Sequence, residues 1–465
     1  MFRTAARRGG CTPPPGFNMA AATAAAAVEP SATSEAAPAS TGGKRPPRAM
    51  ITPLRRESLE KTYTLVGTHS AVKLCRWQKA MMRGRGGCYK YTFYGIESHR
   101  CMEATPSLGC ANKCTFCWRL NSNPTIKEWN FLTDEPVSLV DQLVDAHRGL
   151  VKNASGMAGA IPDKVGEAMV PKHCALSLVG EPIVYPRISE FCDHLHRRGI
   201  SSFLVNNGQF PESIRDLRPI TQLYLSVDAA NKEDMKKLDR PVFADFWERF
   251  QRSIEYMKAK KGRTVFRLTL IEDFNMGDVA GYAEMVLKGQ PDMVELKQVT
   301  PAFQGFKSSP FRMKNVPEWE RVVAFGQALC DAVGGGEYEI AAAHEHSKCL
   351  LLARVRKFKP DGQRWHTWID FPKFLELVAD PTVDAEAIAA SDFYLPTPDW
   401  AVFGSKEEGF DPAQTRHISR KRREWMEKEA AAAAAAAASA TATADGSVAA
   451  GTEADGDADE APCCN

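Results

Sequence analysis

The chain has 465 residues and 13 cysteines, seven of them packed between positions 75 and 174, a distribution unlike that of a small disulfide scaffold. Its formal net charge of +2, from 59 basic and 57 acidic residues, names no partner. No apolar run approaches the ~20 residues needed to span a bilayer, so a soluble protein with no membrane partner is expected.

Residues 1–50 are rich in Ala, Pro, Ser and Thr, with Arg3, Arg7 and Arg8 and no acid before Glu29. This suits an organellar transit peptide, which would make the protein mitochondrial, and equally a disordered leader on a cytoplasmic one. Residues 51–101 form a basic extension. From Lys44 to Arg100 there are thirteen Lys and Arg against Glu57, Glu60 and Glu97. RNA would select such a run, although plain solvated surface has the same composition. A strand is expected near Glu103–Leu108, followed at once by CANKCTFC at 110–117. Further buried strands are read at 174–180 (CALSLVG), 201–208 (SSFLVNNG), 222–230 (QLYLSVDAA), 264–274 (TVFRLTLIEDF) and 293–300 (MVELKQVT). Segments such as ISEFCDHLHRRG and FADFWERFQRSIEYMKAKKG carry apolar residues at helical spacing and end near Gly. The alternation predicts an α/β fold over residues 102–335, a partial (β/α)6 TIM-like barrel with its chemistry at the strand C-terminal ends. Residues 336–425 form a C-terminal extension. Residues 426–465 read as a disordered tail, Ala-rich and then acidic.

Cys110, Cys114 and Cys117 supply three thiolates on the loop after the first barrel strand. A structural zinc site needs four ligands, and the nearest other cysteines, 101 and 174, lie outside the loop. Three thiolates instead hold three irons of a [4Fe–4S] cluster, leaving the fourth open to a chelating ligand. S-adenosylmethionine suits that corner, and one electron splits its sulfonium to a 5′-deoxyadenosyl radical. Cys75, Cys88 and Cys101 stand thirteen residues apart twice, a spacing that scattered core thiols also produce. His344, Glu345 and His346 do not form a HExxH pair and read as structural or RNA-facing.

CANKCTFC carries the radical S-adenosylmethionine motif. Together with SLVGEPIVYP, LVNNGQ, LYLSVDA, LDRPVFADFW, AAAHEHSKCLL and WHTWIDF, it resembles the tRNA 4-demethylwyosine synthase family of the wybutosine pathway, from about Leu74 to Leu377. The resemblance implies that Cys110, Cys114 and Cys117 bind the radical-generating cluster, with Phe116 near the adenine. Gly180, Glu181 and Pro182 would lie by the methionyl amino group, and Asn207, Ser226 and Asp228 would make ribose and carboxylate contacts. Read without the family, Ser226 and Asp228 are equally turn or N-cap residues. The resemblance further implies a second [4Fe–4S] cluster on Cys75, Cys88 and Cys101, whose open iron would chelate the pyruvate carboxylate, with Lys90 forming a Schiff base with pyruvate.

The implied substrate is N1-methylguanosine of tRNA(Phe). A hydrogen is taken from its N-methyl group, the carbon radical adds to pyruvate C2, C1 is lost, and ring closure gives the tricyclic base, a carbon–carbon lyase reaction. The base must leave its stack, so Trp118 and Tyr91 are candidate walls, and the basic run Arg420–Arg423 a candidate phosphate contact. Two departures from the family pattern stand out. No flavodoxin-like domain fits before Leu74, which implies an external ferredoxin- or flavodoxin-like electron donor. Val299 and Thr300 are followed by Pro301, Ala302 and Phe303 where the family shows Tyr-Cys-Gly. Two alternatives are a radical enzyme with another substrate and a non-catalytic iron–sulfur RNA-binding protein.

Overall fold

The computed structural model describes residues 46–118, 123–300 and 309–415, with Lys428 and Ala431. The leader up to residue 45, the loop at Pro301–Phe303, the run Arg420–Arg423 and the acidic tail lie outside the described residues. The described residues from Pro47 onward form one compact unit.

Strands β1 (Thr64–Val66) and β2 (Ser70–Lys73) form an antiparallel pair, and β2 pairs antiparallel with β3 (Cys101–Thr105). Then β4 (His173–Leu176), β5 (Ser201–Asn206), β6 (Gln222–Ser226), β7 (Thr264–Leu270) and β8 (Met293–Gln298) add in chain order, all parallel to β3. At the far side, β9 (Tyr338–His344) and β10 (Cys349–Arg354) form a hairpin, with β10 antiparallel to β8. The six parallel strands are those expected from the β/α alternation. Among the described residues no ladder joins β1 to β9, so the sheet is open.

Both faces of the central strands are covered, which is why they read as near-continuous apolar runs. Along each strand alternate residues enter different cores. Leu204, Leu225, Phe266, Leu268 and Leu296 pack with the crossover helices. Phe203, Tyr224, Val265, Met293 and Leu351 pack instead with Tyr89, Phe93 and Tyr94 of the short helix Tyr89–Tyr94. A segment from the N-terminal extension therefore fills the inner face of the sheet.

The helix Ile188–Arg197 buries Ile188, Phe191, Cys192 and Leu195, and Phe246–Ala259 buries Phe246, Phe250, Ile254 and Met257, both at the spacing of one helical face. Phe250 also fixes the turn after β5. Gly208 there has φ +71°, and a Cβ on it would come within 2.7 Å of the Phe250 ring. Among the described residues no helix is long and apolar enough to cross a membrane.

Three buried histidines weaken this fold as the pH falls. Burial pushes His147 and His196 down to about 4 and His173 down to about 3, while Ser201 and Ser202 hydroxyls partner His173 and His196. The folded values lie below the ordinary imidazole value near 6.5, so between them the unfolded chain binds more protons and stability falls as pH falls. Urea titrations at pH 7, 6 and 5 should show a steepening loss of unfolding free energy. His196→Gln should flatten that slope by up to about 1.4 kcal/mol per pH unit. An unchanged slope in the variant would refute this origin.

Candidate active site

The cysteine loop leaves β3 and is stitched to its surroundings through the backbone. Cys110 N donates to Pro124 O (3.1 Å), Lys113 N to Asp239 O (2.9 Å), Thr115 N to Leu238 O (2.8 Å), and Ala111 O accepts from Val242 N (2.9 Å). The segment 238–242 thus serves as a splint for the loop. Cys110, Cys114, Phe116, Cys117 and Trp118 line a cavity of about 170 Å³ at the C-terminal ends of the parallel strands. Gly180, Glu181, Pro182, Asn207, Ser226 and Asp228 line the same cavity, so every residue expected around the first cysteine trio meets there.

Gly180 has φ +77°, and a Cβ on it would lie 1.9 Å from the Ser107 carbonyl oxygen. That approach lets Glu181 N donate to Gly109 O (2.8 Å), which ties the loop after β4 to the cysteine loop. Glu181 is 2% exposed; its Oε2 accepts from Asn207 N (3.1 Å), while Oε1 is buried with no partner. Burial pushes its carboxyl well above the usual range, which a cationic ligand would reverse. Asn207 Nδ2 donates to Cys110 Sγ (3.5 Å), placing the amide against the sulfur. Asp228 Oδ1 accepts from Thr269 N (3.1 Å), and burial pushes its carboxyl up to about 6. Asp239, unnoticed in the sequence, also lines the cavity and is pushed up by burial and by Asp228. This side of the cavity therefore holds three buried carboxyls.

The second trio sits at element boundaries. Cys75 caps the helix Arg76–Met81 and accepts from Gln78 N (3.3 Å), Cys88 precedes Tyr89–Tyr94 and accepts from Ser98 Oγ (3.6 Å), and Cys101 opens β3. Burial raises Cys75 and pushes Cys101 up to about 12, and Cys88 raises both. The three sulfurs thus lie in one another's field. Raised thiols release protons when a metal binds, so ligation here is linked to pH. Lys90 is 8% exposed and its charge acts on Cys101 and Glu103.

Two cations of the cavity wall, Arg267 and Lys297, escaped the sequence reading. The available signal was a charge inside each buried run, in TVFRLTL and MVELKQ. Of the candidate walls, Trp118 is 41% exposed and donates to Leu178 O (2.7 Å) at the cavity. Tyr91 is a correction: it is not among the cavity lining, but packs against Trp368 and Trp400 and donates to Asp411 Oδ2 (2.7 Å). A half-buried aromatic anchor and an exposed wall share one composition, so sequence could not separate them. His344 Nδ1 bonds Ser347 Oγ (2.6 Å), a structural use of that histidine.

Gly180→Ala should keep the far-UV spectrum but lower the unfolding free energy by about 1–3 kcal/mol. Because the clash with Ser107 O dominates, Asn, which tolerates positive φ, should rescue nothing. A urea series in which Gly180→Asn matched the unsubstituted chain would refute the close-approach argument.

A family model described as Radical SAM superfamily matches residues 105–286, and one described as wyosine base formation matches 288–354. The chain is 51% identical over 384 residues to an S-adenosyl-L-methionine-dependent tRNA 4-demethylwyosine synthase of Oryza sativa subsp. japonica, covering 82% of this chain and 58% of that protein. It is 52% identical over 373 residues to the Homo sapiens S-adenosyl-L-methionine-dependent tRNA 4-demethylwyosine synthase TYW1, covering 80% of this chain and 50% of that protein. The chain thus spans about half the length of the curated relatives it matches. A solved structure, "Structure of TYW1 with a lysine-pyruvate adduct bound", superposes with a TM-score of 0.58 at 30% identity, covering 66% of this chain and 97% of that one. With the radical-enzyme fold, the cysteine loop and this likeness together, the chain belongs to the TYW1 family of tRNA 4-demethylwyosine synthases.

Proposed function

We propose that this chain condenses N1-methylguanosine of tRNA(Phe) with pyruvate to form the tricyclic 4-demethylwyosine base. The observation that carries the reading is a buried lysine set among three neighbouring cysteines. Lys90 acts on Cys101, and Cys75 and Cys101 both lie in the field of Cys88. Radical generation at Cys110, Cys114 and Cys117 has no use for such a second centre, whereas a two-substrate condensation does. The lysine–pyruvate adduct named for the solved TYW1 structure supports the same role for Lys90.

The residues at the first trio fit S-adenosylmethionine and its cluster. The unpartnered Glu181 Oε1 offers an acceptor for an ammonium, and the three buried carboxyls favour a ligand bearing positive charge. Cys110, Cys114 and Cys117 would hold a [4Fe–4S] cluster, and Cys75, Cys88 and Cys101 a second. When bound, the first cluster and S-adenosylmethionine supply a 5′-deoxyadenosyl radical, at the expense of one electron from a ferredoxin- or flavodoxin-like donor. The chain's own residues orient and dry the site. Gly180 allows the loop after β4 to close on the cysteine loop, Asn207 holds its amide to Cys110, and Phe116 packs into the core beside them. Lys90 attacks the pyruvate carbonyl with its amine and loses water to give the imine. Trp118, half open at the mouth, offers a face to a base that has left its stack.

The test is anaerobic turnover of reconstituted protein on N1-methylguanosine tRNA and pyruvate. Lys90→Ala should still release 5′-deoxyadenosine while its tricyclic product drops by at least about a thousandfold, the loss expected when a covalent step is removed. Full product from Lys90→Ala would end the imine proposal. About four rather than eight irons per chain would remove the second cluster.

A further inference from the structure

The inner wall of β7 and β8 carries a cation that makes no ion pair among the described residues. Arg267 and Thr269 alternate onto one face of β7, Glu295 and Lys297 onto the same face of β8, and the register sets Arg267 opposite Glu295 and Lys297 opposite Thr269. On its other side Lys297 faces Cys349 of β10. The arginine thus has a cross-strand carboxylate, and the lysine has two uncharged neighbours. Among the described residues the Lys297 ammonium makes no hydrogen bond or ion pair; its contact is the Tyr89 ring, 5.5 Å from Nζ to centroid. Tyr89 adjoins Lys90 in the chain. Burial, and then Arg267, Arg76 and Lys90, push Lys297 down to about 8, with Cys349 opposing. Glu103 lies in the field of Lys90, Lys73, Lys297 and Arg267, and with Arg267 also matched by Glu295 and Asp228, the three lysines share that one carboxylate. The region between the two cysteine trios therefore has a surplus of positive charge and a cavity beside it.

Resting on the Lys90 reading above, we propose that Lys297 is a second functional lysine, whose ammonium binds the carboxylate of the α-keto acid that condenses with Lys90. A half-buried ammonium at a cavity wall with no ion pair gains a charge-assisted hydrogen bond when an anion arrives, and a small keto acid brings one next to its electrophilic carbonyl. Lys297 acts on binding and orientation and forms no bond of its own. Its role is to select a charged keto acid over a neutral carbonyl compound.

The test is reductive trapping on full-length reconstituted protein, with borohydride fixing the imine as a secondary amine and peptide mapping locating it. Pyruvate is compared with its uncharged ester, methyl pyruvate. Lys297→Met should raise the pyruvate concentration for half-maximal trapping at Lys90 by about tenfold or more, the factor expected from losing a charge-assisted hydrogen bond. Lys297→Arg should restore most of the effect, and the methyl pyruvate curve should stay in place in all three proteins. An unmoved pyruvate curve in Lys297→Met overturns the proposal while leaving Lys90 as the amine. Equal shifts for ester and acid, or a fall in bound iron, overturn it in favour of a structural or cluster-compensating charge. Trapping that never reaches Lys90 in the unsubstituted protein overturns both readings together.

Discussion

The contact between the bare α-carbon of Gly180 and the carbonyl of Ser107 governs the rest of the site. It brings the turn after one barrel strand against the turn after its neighbour, closely enough for the Glu181 amide to bond Gly109 O. Glu181 is thereby held under the cysteine loop, and its second oxygen reaches Asn207, whose amide reaches Cys110. Three loops from three strands are joined through a few backbone and side-chain bonds. Preorganisation of this kind positions a ligand without ordering the chain at the moment of binding.

The cavity has two electrical sides. Glu181, Asp228 and Asp239 gather near the cysteine loop, all raised by burial, whereas Arg267 and Lys297 stand on β7 and β8. Among the described residues Lys297 has no ion pair, whereas Arg267 faces Glu295. A cationic sulfonium compound relieves the acidic side, and an anionic keto acid relieves the basic one. Two ligands of opposite charge can in this way be sorted to opposite walls before any chemistry takes place.

Much of this was legible in the sequence because parallel strands buried on both faces advertise themselves as apolar runs. Each predicted strand begins within two residues of its observed start, yet most run beyond the ladder. The reason is visible in Leu178, Val179, Val227, Ala229, Ile271 and Val299, which are buried although they belong to loops after the strands. Turns that build the cavity floor need apolar residues as strands do, so periodicity cannot find the boundary. The short strands β1 and β2 carry too few residues to be read at all. Asp239 was hidden for a different reason: it comes close to Cys114 only through the fold. Lys297 was legible as an oddity, a cation in a buried strand, but only the register reveals that its neighbours are uncharged.

The helix bearing Lys90 is held from the far end of the chain. Trp368 Nε1 donates to Thr92 O, Thr367 Oγ1 to Phe93 O, Thr92 Oγ1 to Gly409 O, and Tyr91 to Asp411. From within the sheet it is anchored once more, by Tyr94 on Glu295. A six-residue helix has little stability of its own, so its order is borrowed from residues nearly three hundred positions downstream. A frameshift or premature stop between Phe358 and Thr367 would spare both cysteine trios and every parallel strand while releasing the amine they surround. Faster deuterium uptake at amides 91–95 would be the first sign of that damage.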